Sequence, residues 1–306
     1  MGFILNICMK PIGGTELLYN NLINYTGTDW SKHINLIVSV CYQGLIDPNR
    51  ANVVWQHLSY DQQNIIGMID NNFTNLVDKF VYVSEWQKNQ FQMRFPVDES
   101  KNLVIRNAIQ DIEFKHKPTD KIRLIYTSMP NRGLEILLDA FELLNRNDVE
   151  LIVYSSNIIY GKGYGTNSQI EQLFHRCRTM KNVIYKGFAM NQAVRRAVQH
   201  SHILAYPSIY EETSCLSAIE AGAAGCRIVT TNYGALSETC GDYATYVDYT
   251  DDRQELTHNY SQALNDAINN YSSEGLLEQS DWFNLRYSWN IRKTEWNKFF
   301  GELCVK

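Results

Sequence analysis

Short apolar runs alternate with amphipathic stretches over nearly the whole chain. FILNIC (3–8), INLIVSV (34–40), NVVW (52–55), KFVYV (79–83) and NLVI (102–105) lie in the first third. IRLIYT (122–127), VELIVYS (149–155), NVIY (182–185), HILAY (202–206), RIVT (227–230) and ATYV (244–247) follow. Runs that are continuous rather than alternating suit parallel strands covered on both faces. Between them, GLEILLDAFELLNR (133–146) and NQAVRRAVQHS (191–201) carry apolar residues at helical spacing. Strand–helix alternation on this scale predicts a doubly wound α/β architecture.

The pattern lapses at IQDIEFKHKPTDK (109–121), which is charged, contains Pro118 and has no clear period. Such a stretch reads as a domain boundary, and 306 residues accommodate two domains. Near the end, Trp282, Phe283, Trp289, Trp296, Phe299 and Phe300 crowd one helical stretch, which needs a domain surface to pack on.

Composition removes several classes of function. A net charge of −5 argues against a general nucleic-acid binder, which needs a basic face. No apolar run in the chain reaches the roughly 18 residues of a membrane span. The start, MGFILNICMK, lacks the marks of a secretory signal, and Asn6 breaks the myristoylation pattern. The seven cysteines include no CxxC pair. They are expected to be reduced core residues of a cytoplasmic protein, with no metal site.

Candidate chemistry concentrates in YPSIYEETSCLSAIEAGAAG (206–225), where seven residues separate Glu212 from Glu220. A helix is expected to start between them, and its first turn would present unpaired N–H groups and a positive dipole end. That is a natural diphosphate site. Glu220, one to two turns inside, suits the vicinal diol of a ribose, since a carboxylate accepts hydrogen bonds from both hydroxyls. Glu212, at the mouth, would face whatever lies beyond the phosphates. Taken alone, the pattern is equally that of ordinary solvated acids.

Extended to PSIYEETSCLSAIEAGAAGCRIVTTNYGALSE (207–238), the stretch resembles the nucleotide-sugar signature of retaining GT-B glycosyltransferases of family 4. Pro207, Ser208, Glu212, Glu220, Ala221, Gly225, Gly234 and Glu238 match, while Ser214 and Cys215 replace the usual Phe-Gly. The resemblance implies two Rossmann-like domains facing across a cleft. It implies an acceptor-side domain (1–112), a nucleotide-sugar domain (113–285) and a last helix (286–306) packing back on the first. Within it, Glu220 binds the donor ribose. Glu212 and the backbone of Ser214, Cys215 and Leu216 face the sugar and diphosphate.

Other matches spread along the chain. PIGGTE (11–16) resembles the family's glycine loop, bringing Gly13, Gly14 and Thr15 toward the donor. His57, in VWQHLSYDQ, takes the place of a histidine near the transferred sugar. Ser84 matches a serine at the cleft, and VIRNAI (104–109) matches the interdomain hinge with Asn107 retained. In YTSMPNRGLEILLDAF (126–141), Arg132 takes the position of a lysine that grips the diphosphate, and Thr127 that of its arginine partner; Lys186 is a candidate second cation. The implied reaction is metal-independent transfer, with retention, from a UDP-, GDP- or ADP-sugar to a glycan, lipid-linked or small-molecule acceptor. No cofactor, nucleic acid or membrane span is implied; a homo-oligomer is compatible.

Two alternatives stay open. The short first domain suits a nucleotide-sugar-binding protein, or a subunit completed by a partner. The second, an NAD-linked oxidoreductase, rests only on Gly161, Gly163 and Gly165, which mimic a dinucleotide fingerprint. However, the third position the motif needs is Thr166, and no acid follows a second strand at the right distance, so the stretch reads as a surface loop.

Overall fold

The computed structural model describes residues 13–157 and 167–304. Among them, ten strands form two fully parallel sheets. The first holds β1 (Ile34–Val38), β2 (Ala51–Gln56), β3 (Lys79–Tyr82) and β4 (Asn102–Val104), side by side in that order. The second holds β5 (Ile122–Tyr126), β6 (Val149–Val153), β7 (Val183–Tyr185), β8 (Ile203–Tyr206), β9 (Arg227–Thr231) and β10 (Ala244–Val247) in the order β10-β9-β8-β5-β6-β7. Every apolar run read as a strand forms one, except FILNIC, which lies outside the described residues.

Helices connect the strands: α1 (Gly14–Thr26), α2 (Asn71–Leu76), α3 (Glu85–Arg94), α4 (Leu134–Leu144), α5 (Ser168–Thr179) and α6 (Asn191–Gln199). They continue with α7 (Leu216–Ala223), α8 (Leu236–Cys240), α9 (Arg253–Asn269), α10 (Leu276–Arg286) and α11 (Trp289–Cys304). Their starts follow local chemistry. Ser84 Oγ accepts from the Gln87 amide to cap α3, and the Asp252 carboxylate accepts from two amides to cap α9.

Both sheets are covered on two faces, which is why their strands read as unbroken apolar runs. In β2, Val53 and Trp55 join one core with Leu18, Leu22 and Trp296, while Val54 joins another with Phe80 and Phe91. Successive side chains of a strand point to opposite faces, so adjacent residues serve different cores. The second sheet builds one larger core with Leu124, Leu137, Leu204, Ile219 and Leu264. The two units face each other across a cleft, as the sequence led one to expect.

The chain passes between the units twice, and the two passages pair. The Ile109 amide donates to the Tyr287 carbonyl at 2.8 Å, and the Trp289 amide returns to the Ile109 carbonyl at 3.3 Å. Beyond this point α11 packs on the first unit, against α1 and β1. Trp296 meets Trp55 edge-on with centroids 4.9 Å apart, and Phe300 stacks on Trp30 at 4.6 Å. The aromatic stretch is thus two helices: Trp282 and Phe283, on α10, pack in the second unit's core, while Trp289, Trp296, Phe299 and Phe300, on α11, complete a core begun more than 200 residues earlier. Trp296→Ala should lower stability by about 3–5 kcal/mol, as expected for emptying a fully buried indole site. Equilibrium denaturation measures this; a loss under about 1 kcal/mol would show that α11 is not part of that core.

Candidate functional site

A cleft of about 1260 Å³ lies between the sheets. Its lining includes Ser39 just after β1, His57 after β2, Thr127 after β5, Tyr154 after β6, Gly187 after β7 and Tyr206 at the end of β8. The carboxyl ends of parallel strands are where open α/β sheets leave room for ligands. Gly13, Gly14 and Thr15, at the start of α1, line it, as do Ser214, Cys215 and Leu216, at the start of α7. A Cβ placed on Gly14 would sit 3.2 Å from Leu216 Cδ1, so the two helix starts nearly touch. Neither is capped by a side-chain oxygen of the described residues. Two positive dipole ends therefore open on one cavity. Pro11 and Ile12 lie outside the described residues, as do Gly161, Gly163, Gly165 and Thr166.

Glu212 is 8 % exposed, and its Oε1 accepts from Arg132 Nη1 at 2.7 Å and from the Tyr206 phenol at 2.6 Å. Burial pushes the Tyr206 phenol up, which keeps it a donor. The Arg132 guanidinium lies 3.4 Å from the centre of the Tyr210 ring, a cation–π stack. Two glycines fix this geometry. Gly234 has φ +69°, and a Cβ there would come within 2.5 Å of the Glu212 backbone; the next amide, of Ala235, donates to the Glu212 carbonyl at 2.7 Å. Gly133 has φ +110°, and a Cβ would meet the Pro207 carbonyl at 1.9 Å. Only glycine lets the Arg132 turn and the Glu212 loop approach so closely.

Glu220 lines the cleft from inside α7. Its Oε1 accepts from Asn191 Nδ2 at 3.1 Å, and Arg195 Nε lies 3.8 Å away. Burial raises its pKa, and Asn191 and Arg195 oppose that shift. Lys186 is exposed and is not among the lining residues, although Gly187 and Phe188 beside it are. Lys186 follows β7 directly and shares the outward side of that strand with the exposed Ile184; among the described residues, the cation paired with Glu220 is Arg195. Thr127 contributes its carbonyl, which accepts from Ser217 Oγ at 2.7 Å.

On the other wall, His57 meets Trp55 with centroids 4.4 Å apart, and its Nδ1 lies 3.3 Å from Ser39 Oγ. Burial drives its pKa down to about 3, so the ring is neutral. Its Nε2 is buried with no protein partner among the described residues. The His57 carbonyl accepts from Thr213 Oγ1 at 2.9 Å, so His57 and the Glu212 loop are joined directly across the cleft. Ser39 is held at φ +64°, a strained backbone for a non-glycine residue, beside this histidine. Ser84 caps α3 and does not line the cleft, whereas Asn107 does.

Tyr206, Tyr210, Asn191 and Arg195 carried no signal of a site in the sequence. The two tyrosines lie within the glutamate stretch but read as strand end and turn. Asn191 and Arg195 sit on a helix whose pattern shows only amphipathicity. Among the described residues no group of three or more His, Cys, Asp or Glu side chains is placed to hold a metal ion. No helix there is long and apolar enough to cross a membrane.

The family model for glycosyl transferases group 1 matches residues 108–278, more than half of the chain. The chain belongs to that family. A lipopolysaccharide 1,2-N-acetylglucosaminetransferase of Salmonella typhimurium is 23% identical over 207 residues, which cover 63% of this chain and 51% of the relative. The chain thus matches about half the length of that relative. Among solved structures, the pneumococcal O-GlcNAc transferase GtfA, in complex with UDP and GlcNAc, aligns with 96% of this chain and 61% of its own, at 13% identity and a TM-score of 0.69. HepE of Anabaena, in complex with UDP-glucose, aligns with 88% of this chain and 79% of its own, at 16% identity and a TM-score of 0.67. These likenesses are of fold, and the fold is the two-domain GT-B arrangement.

The neutral His57 has a measurable consequence. Its folded pKa lies below its unfolded value of 6.5, so the unfolded chain gains the proton first. The stability that depends on neutral His57 is fully present above pH 6.5 and is lost as pH falls toward 3. Between pH 7 and pH 5, His57→Gln should lose about 1–2 kcal/mol less than the wild type. Urea denaturation at the two pH values measures the difference; equal losses would show that His57 is not held neutral.

Proposed function

We propose that this chain transfers a sugar from a nucleotide-sugar, with retention of anomeric configuration and without a divalent metal, as family 4 enzymes of this fold are expected to do. The observation that carries the reading is the convergence on one cleft of Glu212, Glu220, Arg132 and two uncapped helix starts. Glu220 takes the ribose diol. The amides opening α7, with Arg132, take the diphosphate and stabilise the charge that develops as it leaves. The donor most favoured among UDP-, GDP- and ADP-sugars is UDP-linked, since GtfA and HepE were solved with UDP and UDP-glucose. The acceptor, a glycan, a lipid-linked sugar or a small molecule, enters from the side of His57. A cytoplasmic setting belongs to the same reading.

Glu212 is not the nucleophile in this scheme. One of its oxygens already accepts from a guanidinium and a phenol, and both withdraw electron density from the carboxylate. It orients the sugar, and attack comes from the same face, assisted by the leaving phosphate. His57 lies on the other wall, with a buried Nε2 that has no partner among the described residues, and meets the sugar or the acceptor rather than the nucleotide. A second reading, a binding protein or a subunit completed by a partner, draws on the chain matching 51% of its curated relative. Hydrolysis of a UDP-sugar by the purified chain supports the enzyme; tight binding without turnover supports the second reading.

Glu220→Ala should weaken UDP and UDP-sugar alike, by about 1.5–3 kcal/mol for the lost charged hydrogen bonds. Calorimetry on the folded variant decides, and unchanged UDP affinity removes Glu220 from the ribose site. Arg132→Lys keeps a charge beside the buried Glu212 but loses the planar fork and the stack on Tyr210. It should weaken UDP more than uridine, and EDTA should leave wild-type donor hydrolysis or transfer intact. Strict dependence on Mg²⁺ or Mn²⁺ would contradict the metal-free scheme.

A further inference from the structure

Arg195 lies on the wall of the cleft, on α6, and its guanidinium faces two ways. Toward the cleft, Nε lies 3.8 Å from Glu220 Oε1 and, though buried, has no hydrogen-bond partner among the described residues. At that distance the contact is an ion pair and not a hydrogen bond. Toward the domain junction, Nη1 donates to Gln110 Oε1 at 3.2 Å, and Nη2 donates to the carbonyls of Gln110 and Asp111, the latter at 2.9 Å. Gln110 and Asp111 directly follow Ile109, the residue through which the two interdomain passages pair.

The rest of α6 follows the same line. Asn191, four residues before Arg195, donates to the same Glu220 oxygen. Gln199, four residues after it, donates to the Glu113 carbonyl at 2.9 Å. Residues four apart share one face of a helix. A stripe of side-chain nitrogens thus runs from the carboxylate in the cleft to the linker between the domains. The side chains of Arg195 and Glu220 are only 16% and 12% exposed, so water screens their interaction little.

We propose that Arg195 is a positioning residue for the donor: it aims the Glu220 carboxylate at the ribose diol and ties it to the interdomain linker, coupling nucleotide occupancy to the angle between the domains. This rests on the ribose reading of Glu220. A ribose hydroxyl bound at Oε1 shifts the carboxylate against Nε, and the rigid guanidinium passes that shift to Gln110 and Asp111. Lysine at this position could keep the ion pair, but it has no fork to reach the linker carbonyls at the same time.

The test compares the full-length wild type, Arg195→Met and Arg195→Lys, using UDP and 2′-deoxy-UDP in calorimetry and small-angle scattering with and without UDP. The wild type should prefer UDP by about tenfold, the size of one charge-assisted hydrogen bond. Arg195→Met should lose most of that preference, and Arg195→Lys should keep it. UDP should compact the wild type and leave the radius of gyration of both variants unchanged. If Arg195→Met weakens both nucleotides by one factor and keeps the preference, Arg195 only staples the linker and the proposal fails. A UDP response of wild-type size in both variants overturns the coupling. A wild type that binds UDP without preferring it to the deoxy form overturns the ribose role of Glu220 itself, a different result from either.

Discussion

Carboxylates withdrawn from water are the constraint around which this molecule is arranged. A carboxylate in such a place must meet compensating groups or take up a proton and become neutral. Three glutamates of one signature stretch face this demand, and each is answered by a different element. Glu212 meets Arg132 and Tyr206. Glu220 meets Asn191 and Arg195. Glu238 accepts from the amides of Glu85 and Trp86, in the first turn of α3, at 3.1 and 2.9 Å, and from Arg106 Nη2 at 3.0 Å. In the last case the positive end of a helix in one domain holds a carboxylate of the other.

This compensation shapes the cleft as much as the ligand would. The Glu212 loop is held from below by Gly234 and from the side by the Gly133 turn, and it reaches across to the His57 carbonyl through Thr213. The two walls are therefore in register at the residues proposed to face the sugar. Preorganised dipoles of this kind cost no reorganisation at the moment charge develops, which is what electrostatic catalysis requires. The paired passages at Ile109 and Tyr287–Trp289 tie the two domains together through their backbones. Glu238 adds a further contact between the domains, through Glu85, Trp86 and Arg106.

The fold was largely legible because burial on both faces leaves a mark that periodicity can read. β2 and β8 are unbroken apolar runs in sequence and central strands in space. The glutamate spacing was legible for a similar reason: a strand, a turn and a helix start lie next to one another in the chain, although Gly133 and Gly234 then fix where the Glu212 loop sits. Arg132 was legible through the resemblance, although not its pairing with Glu212, 80 residues away. Ser84 and Lys186 show the limit. Each stands next to residues that do what was expected, yet one caps a helix and the other points to solvent. A shift of one residue at a strand end turns a side chain from one face to the other.

What the sequence determined by itself is therefore local: the strand and helix order, the two-domain α/β class, and a helix start flanked by two acids. What the tertiary structure alone decided is which side chains share a volume. Arg195 was an ordinary basic residue on an amphipathic helix until α6 was laid against α7 and the linker. Trp296 was one aromatic among six until α11 returned to β2. The reason is that strands and helices follow from interactions within a few residues, whereas charge compensation and core filling depend on distances across space that no local pattern encodes.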